Sequence, residues 1–205
     1  MIGENGTGKT TLLRLLAGAD DPDSGTVNRP PDVGFLQQEM PFAAEATVAD
    51  VLDDALRETR DILADLERLT VLLGRTAEDD PGHPALLDAY GTRLQQAQDR
   101  EARDADRRAA LVLDGLGLGG FGPNRCLSSL SGGQRGRLAL ATLLIRRPTA
   151  LLLDEPTNHL DDTASAVVEQ QVRDLPGVTV LASHDRAFLH RPAPAPQYLF
   201  FHQRA

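Results

Sequence analysis

Apolar residues along this 205-residue chain recur at two spacings, and each spacing predicts a different kind of element. From residue 47 to about residue 73 they fall three or four positions apart, as on one face of an α-helix. Glycines and prolines between Gly74 and Pro84 interrupt that pattern. A second helical pattern begins at Leu86 and becomes highly charged through Arg108. Together the two segments predict a protruding helical hairpin with a solvated tip.

Short apolar runs bounded by turn residues predict strands instead. The strands are expected at residues 33–36, 151–153 and 178–182. Helical patterns are expected at residues 12–17, 137–145 and about 162–173. Because strands and helices alternate, we expect an α/β fold with a mostly parallel sheet and helices on both faces.

Composition narrows the class of protein. A formal net charge of −9 argues against binding nucleic acid by bulk attraction, although a projecting element could still make a local contact. No apolar run approaches the roughly 18 residues of a membrane-spanning helix, and no signal region is evident, so we expect a cytoplasmic chain with no membrane insertion. The single cysteine, Cys126, has no partner for an internal disulfide and is expected to pack.

The first residues match the pattern G-x-x-x-x-G-K-[ST] of a phosphate-binding loop. The predicted nucleotide contacts are Gly3, Glu4, Asn5, Gly6, Thr7, Gly8, Lys9, Thr10 and Thr11. Lys9 is the only lysine of the chain and is expected to reach the β- and γ-phosphates of ATP, while the Thr10 hydroxyl ligates Mg²⁺. Such a loop normally follows a buried strand, and only Met1 and Ile2 precede Gly3, so we expect that upstream strands are missing.

Polar residues at the ends of the predicted strands complete half of an ATP site. Asp154 is predicted to hold Mg²⁺, and Glu155 to orient or deprotonate the attacking water. Gln38 is predicted to reach Mg²⁺ or that water, and His184 to contact the γ-phosphate and the water. Considered alone, each of these features is more typical of a solvated surface; their combination in one chain favours the functional interpretation.

A second predicted anion site lies at the start of a helix, where Ser131 precedes Gly132, Gly133 and Gln134. The serine hydroxyl and the glycine N–H groups can bind an anion there. One chain does not need two γ-phosphate cradles for one nucleotide, so this site most simply serves an ATP held by a partner cassette.

These motifs resemble the ATP-binding cassette (ABC) family. The resemblance covers the phosphate loop, the glutamine loop at Gln38, the signature at residues 130–134, the two strand-end carboxylates, Asp161 and the switch histidine His184. It implies a P-loop NTPase cassette with a helical signature subdomain, an ATPase site completed at a cassette dimer interface, and a nucleotide contact for Asp161. Residues 154–161 and 183–186 resemble the ABC-F branch, whose soluble proteins have two cassettes in tandem and act on the ribosome in translation or antibiotic resistance.

The resemblance also implies a division of the chain. Residues 1–46 and 127–190 are expected to form two parts of the ATP-binding core, with residues 47–126 as a helical insertion, or arm, between them. Residues 191–205 contain alternating prolines that cannot sustain a helix and are expected to be a divergent tail. The charge of the hairpin is nearly balanced, with six acids against four arginines over residues 53–75, so a spacer and a nucleic-acid contact remain equally open.

Three functional hypotheses compete. The first is an ABC-F-type ATPase, or a piece of one, with ATP and Mg²⁺ as cofactors, a second cassette as partner, in a homodimer or on another chain, and the ribosome and its RNA as target. The second is the ATP-binding subunit of a transporter. The third is a truncated remnant without catalytic activity.

Overall fold

Three parallel strands form the sheet in the part of the chain that the computed structural model describes, which is residues 8–36, 42–157, 160–175 and 177–183. The strands are β1 (Val33–Phe35), β2 (Ala150–Asp154) and β3 (Val178–Ala182), and β2 lies between the other two. Ala150 is in register with Val33 on one side and Val178 on the other, so the strands begin level with one another. The three predicted strands are thereby confirmed to within one residue.

Six α-helices surround this sheet in the described residues. They are α1 (Lys9–Ala17), α2 (Val48–Arg75), α3 (His83–Asp99), α4 (Ala105–Gly115), α5 (Gly132–Arg146) and α6 (Asp162–Asp174). Two 3₁₀ turns, Ala102–Asp104 and Leu127–Ser129, precede α4 and α5. None of the helices in these ranges has the length and hydrophobicity needed to cross a lipid bilayer.

The leucines of β2 divide the core into two layers. Leu151 and Leu153 are fully buried in the larger cluster, which includes residues of α2, α4, α5 and α6. Leu152 points to the opposite face, where it packs with Leu13 of α1 and Ala182 of β3. Alternate residues of a strand face opposite sides of its sheet, so this run needs apolar partners on both sides. The predicted α/β fold with helices on both faces is confirmed.

Helices α2 and α3 form the predicted hairpin. With 28 residues, α2 extends about 42 Å. Thr47 caps it, because its hydroxyl accepts a hydrogen bond from the Asp50 N–H while the Asp50 carboxylate accepts one from the Thr47 N–H. Ile62 and Leu66 of α2 pack with Ala97 of α3 in a small core of their own. The hairpin therefore has enough buried surface to hold its two helices together away from the sheet.

The prediction that the second arm helix continues through Arg108 is wrong. Helix α3 ends at Asp99, Glu101 takes a left-handed conformation with φ 45°, and α4 starts anew at Ala105. The cause lies in tertiary contacts that local sequence does not reveal. Arg100 forms ion pairs with Asp32 at 3.0 Å and with Glu58 at 2.9 Å, which fixes the end of the arm against the residue before β1.

The prediction that Cys126 packs in the interior is also wrong. Its side chain is exposed, while the next residue, Leu127, is buried. Cys126 is paired with Thr47 in an isolated antiparallel bridge, and in such extended backbone successive side chains point in opposite directions. Burial of Leu127 therefore turns the cysteine outwards.

Candidate nucleotide-binding site

The start of α1 lies at the carboxyl edge of the sheet, where β2 ends. The Thr10 hydroxyl donates a hydrogen bond to the Asp154 carboxylate, and the two oxygens are 2.5 Å apart. Leu13, one turn further along α1, is fully buried against Leu152 and holds the helix in this position. The fold thus brings together the two Mg²⁺ ligands that sequence analysis predicted from residues 144 positions apart.

Gly8 directly precedes α1, which begins beside the end of β2. It caps α1 with φ 86°, a conformation that favours glycine, and no atom would contact a Cβ added there. Lys9 follows as the first residue of the helix and is only 7% exposed. At the other end, Gly18 stops α1 with φ 75°. The N–H groups at the start of α1 therefore face the sheet edge at which α/β proteins bind phosphates.

Glu155 follows β2 in an unusual backbone conformation. Its φ is 46°, which costs a non-glycine residue roughly 1–2 kcal/mol. Its N–H donates a 2.8 Å hydrogen bond to the carbonyl of Ala182, the last residue of β3. This bond continues the parallel ladder between β2 and β3, and the positive φ of Glu155 turns the backbone directly after it. Unusual backbone conformations of this kind cluster at functional sites.

The signature residues at the start of α5 cap one another. The Ser131 hydroxyl accepts a 3.2 Å hydrogen bond from the Gln134 N–H, and the Gln134 side chain accepts a 3.0 Å bond from the Ser131 N–H. Of the four predicted residues, Ser131 and Gln134 thus share a capping box. Gly132 and Gly133 have no hydrogen-bond acceptor for their N–H groups among the described residues, so an anion could bind there.

Helices α5 and α1 lie on different sides of the sheet. α5 packs in the larger cluster with Leu151 and Leu153, whereas α1 packs on the Leu152 face. The structure therefore joins the start of α1 to Asp154 and places the helix that follows Ser131 on the opposite face.

Asp161 has a structural partner of its own. Its carboxylate caps α6 by accepting a 2.8 Å hydrogen bond from the Ala164 N–H. Its predicted nucleotide contact stays a prediction. The predicted contacts of Gly3, Glu4, Asn5, Gly6, Thr7, Gln38 and His184 lie outside the described residues.

Sequence analysis missed the polar junction that joins the end of the arm to the core. Arg108 is 8% exposed and donates hydrogen bonds to the carbonyls of Arg100, Glu101 and Ile145. Arg147, which has φ 51°, pairs with the Glu101 carboxylate. Sequence analysis assigned the charged residues up to Arg108 to the second arm helix, and no local signal distinguishes the two buried arginines from their exposed neighbours.

A phosphate-loop helix that starts beside a strand-end carboxylate pair, at the carboxyl edge of a parallel sheet, defines a P-loop nucleotide-binding domain. Residues 1–158 match the family model described as "ABC transporter". The chain belongs to this ATP-binding cassette family, and relatives that include the two described below are of the ABC-F branch. The resemblance inferred from the motifs is confirmed.

Two relatives illustrate the similarity. The chain is 46% identical over 193 residues to the tylosin resistance ATP-binding protein TlrC of Streptomyces fradiae, a match that covers 93% of this chain and 35% of the relative. It is 35% identical over 195 residues to the energy-dependent translational throttle protein EttA of Escherichia coli (strain K12), covering 94% of this chain and 34% of the relative. The chain spans about a third of the length of each.

The fold is similar to a solved structure titled "Structure of ATP binding subunit of ABC transporter". The TM-score is 0.61 at 18% sequence identity, and the match covers 91% of this chain and 67% of the other. At that identity the similarity supports the cassette fold alone.

Proposed function

We propose that this chain is an ATP-binding and ATP-hydrolysing cassette of the ABC-F type that acts on the ribosome in translation or antibiotic resistance. The contact between the Thr10 hydroxyl and the Asp154 carboxylate carries the catalytic part of the proposal. Mg²⁺ prefers oxygen ligands and is commonly held by one or two carboxylates together with substrate phosphates and water. A hydroxyl from α1 and a carboxylate from β2 fit that ion when it arrives with ATP.

The remaining residues have separate roles in the proposed reaction. Residues 3–11 hold the phosphates through backbone N–H groups and the Lys9 ammonium. Glu155 orients the attacking water and takes its proton, and Gln38 and His184 hold the water and the γ-phosphate. When bound, the cation neutralises charge that develops on the phosphate oxygens.

Replacement of one atom tests the role of Glu155. Glu155→Gln should lower the rate of ATP hydrolysis by about 10²- to 10⁴-fold, the range for a lost general base, while ATP still binds. Phosphate release and nucleotide titration measure the two effects separately. Unchanged turnover in Glu155→Gln would remove this residue from the catalytic role.

We further propose that the signature of one cassette contacts the nucleotide of another, with Ser131, Gly132 and Asp161 at the shared interface. The separation of α1 and α5 across the sheet supports this arrangement. A symmetric two-fold contact would complete two sites at once. Light scattering of Glu155→Gln should show association with ATP and none with ADP, because ADP lacks the γ-phosphate that joins the halves. A Glu155→Gln chain that binds ATP and stays monomeric would exclude pairing with a second copy.

The names of the relatives support the ribosomal part of the proposal, since one is a tylosin resistance protein and the other a translational throttle protein. A cytoplasmic location follows from that role. The arm formed by α2 and α3 is the element that would reach the ribosome or its RNA.

Co-sedimentation with ribosomes tests this part. Glu155→Gln should pellet with ribosomes in ATP and remain soluble in ADP, and Lys9→Ala should remain soluble in both. Equal sedimentation in ATP and ADP would count against an ATP-dependent role on the ribosome.

A further inference from the structure

The N-terminus of the arm helix α2 is bonded to a segment far away in the sequence. The Val48 N–H donates to the carbonyl of Arg125 at 3.0 Å, and the Ala49 N–H donates to the carbonyl of Pro123 at 2.9 Å. The first N–H groups of a helix have no acceptor within the helix itself. The remote segment supplies those acceptors, so the helix start and residues 123–128, here called the tether, are fixed to each other.

The tether also bonds in the other direction. The Leu127 N–H donates to the carbonyl of Ala46 at 2.9 Å, and the Ser128 N–H donates to the carbonyl of Ala44 at 3.0 Å. Four backbone hydrogen bonds therefore join residues 44–49 to the tether. Leu127 is 3% exposed and belongs to the same core cluster as Val48, which adds apolar packing to the ladder.

The tether leads directly into the signature. The Arg125 guanidinium donates a 3.3 Å hydrogen bond to the Ser129 hydroxyl and stacks on the Phe121 ring at 4.3 Å from its centroid. Leu130 is 4% exposed, and Ser131 follows it as the cap of α5. Three residues separate Leu127 from Ser131, and two of them belong to a 3₁₀ turn. Because this connection is short and hydrogen-bonded, a displacement of the N-terminus of α2 should also displace Ser131.

We propose that the tether is a positioning element that sets the place of Ser131 by the place of the arm helix. The position of the arm then determines how closely Ser131 approaches the nucleotide of a partner cassette, a role that rests on the proposed function. A partner that binds the arm would change the position of α2, and the four backbone hydrogen bonds would pass that change to Ser131. The partner could thereby favour or disfavour pairing of two cassettes without contacting the nucleotide.

One substitution removes a single bond of the ladder. Val48 is the first residue of α2, a position where proline is well tolerated because its N–H has no helical acceptor. Thr47 before it is extended, with φ −99° and ψ 167°, which suits the residue that precedes a proline. Val48→Pro therefore deletes the donor to Arg125 and keeps the helix. Val48→Ala is the matched control, because it loses side-chain packing and keeps the donor.

Association is the first readout, in the Glu155→Gln background. Val48→Pro should weaken ATP-dependent association by about two- to tenfold relative to Val48→Ala, the effect of one net hydrogen bond. Binding of ATP to the monomer should be the same in both. Equal association of the proline and alanine variants would show that the ladder serves folding alone and would overturn the inference.

Hydrogen exchange at the Gln134 amide is the second readout and does not depend on pairing. This amide is protected by the Ser131 hydroxyl, so it reports the cap directly. It should exchange faster in Val48→Pro than in Val48→Ala, and equal exchange would overturn the inference. If Glu155→Gln with an intact tether fails to associate, the proposed pairing is wrong, while the exchange result still decides whether the tether positions Ser131.

A reversible crosslink covers the case in which Val48→Pro does not fold. Thr47 and Cys126 form a pair without mutual hydrogen bonds, for which Cα atoms lie about 4.5 Å apart, within the range of a disulfide. The chain has no other cysteine, so Thr47→Cys can form only this internal bond. In the presence of ATP, two oxidised chains should associate with each other at least as strongly as the same chains after reduction. Loss of association on oxidation, recovered on reduction, would mean that the ladder must open, and the positioning role would be excluded.

Discussion

The guanidinium of Arg108 joins the ends of two helices, and its removal should destabilise the fold. It donates to the carbonyls of Arg100 at 3.2 Å, Glu101 at 3.4 Å and Ile145 at 3.3 Å. These carbonyls lie at or just beyond the ends of α3 and α5. That of Glu101 also accepts a 3.0 Å hydrogen bond from the Asp104 N–H, whereas those of Arg100 and Ile145 have no backbone donor in the described part of the chain. Burial, and then the nearby charge of Arg147, lower the pKa of Arg108, so the fold carries a cost for placing a cation here.

Two opposing effects decide the outcome of Arg108→Met. Loss of the donor leaves the carbonyls of Arg100 and Ile145 without a partner at about 1 kcal/mol each, the low end of the range because the bonds are long, while the Glu101 carbonyl keeps the Asp104 N–H. Removal of a buried cation recovers part of its desolvation cost, which in some proteins makes such a replacement neutral. Because two acceptors depend on this side chain alone, we expect a net loss of about 1 kcal/mol after the recovered desolvation. For a chain of this size that corresponds to a midpoint about 2–4 °C lower.

Thermal and urea unfolding, followed by circular dichroism, measure this loss. Arg107→Met is the matched control, since Arg107 lies on the same helix, its side chain is 73% exposed, and within the described ranges its ion pair is with Asp104 at 3.3 Å. The control should change stability by less than about 0.5 kcal/mol. If the two variants prove equally stable, the recovered desolvation offsets the hydrogen bonds lost by Arg100 and Ile145, and the expected role of Arg108 at this junction is refuted.

Three further predictions concern the nucleotide site and the arm. Lys9→Ala should weaken ATP binding at least tenfold, because a charge-assisted contact to the phosphates is lost; calorimetric titration would contradict this by giving equal affinities. Leu13→Ala should cost about 2–5 kcal/mol in urea unfolding and also weaken ATP binding, since Leu13 is fully buried against Leu152 and holds α1; an unchanged midpoint would exclude that anchoring role. Hydrogen bonds from the N–H of Thr47, and then from its hydroxyl, lower the pKa of Asp50 in the folded chain. The cap should therefore contribute stability at pH values above the pKa of an unfolded aspartate, about 3.9, and this contribution should be lost as the pH falls through the lower pKa of the folded state. An NMR titration that gives Asp50 an ordinary pKa would contradict this.

Elements that are decided by local pattern were predictable from sequence. The Leu run of β2 must be buried on both faces, and the helical spacing over residues 47–73 specifies one long amphipathic helix. The break between α3 and α4 was not predictable in the same way. The break depends on the ion pair between Arg100 and Asp32, which are 68 positions apart. The residues next to Arg100 in the sequence do not predict that contact.

The candidate site likewise contains features that local sequence predicts and features that depend on distant contacts. Thr10 was predicted as a Mg²⁺ ligand from the phosphate-loop pattern, and Asp154 from its place at the carboxyl end of a buried strand. The left-handed conformation of Glu155, directly after its N–H bonds to Ala182 on the neighbouring strand, has no local sequence pattern that predicts it. The capping box of Ser131 and Gln134 could have been found, since a serine followed three residues later by glutamine is a known helix-start pattern.

Separation of the two helix starts gives a physical reason to expect that hydrolysis depends on pairing. α1 and α5 lie on opposite faces of the sheet, so their axes are further apart than one helix diameter of about 10 Å. A hydrogen bond spans only about 3 Å, and a γ-phosphate held beside Thr10 is then out of reach of Ser131 in the same chain. To bring Ser131 to that phosphate within one chain, α5 would have to leave a core in which Leu138, Leu144 and Ile145 are at most 1% exposed. Unpacking three such residues would cost several kcal/mol, so docking a second cassette is the less costly way to complete the site.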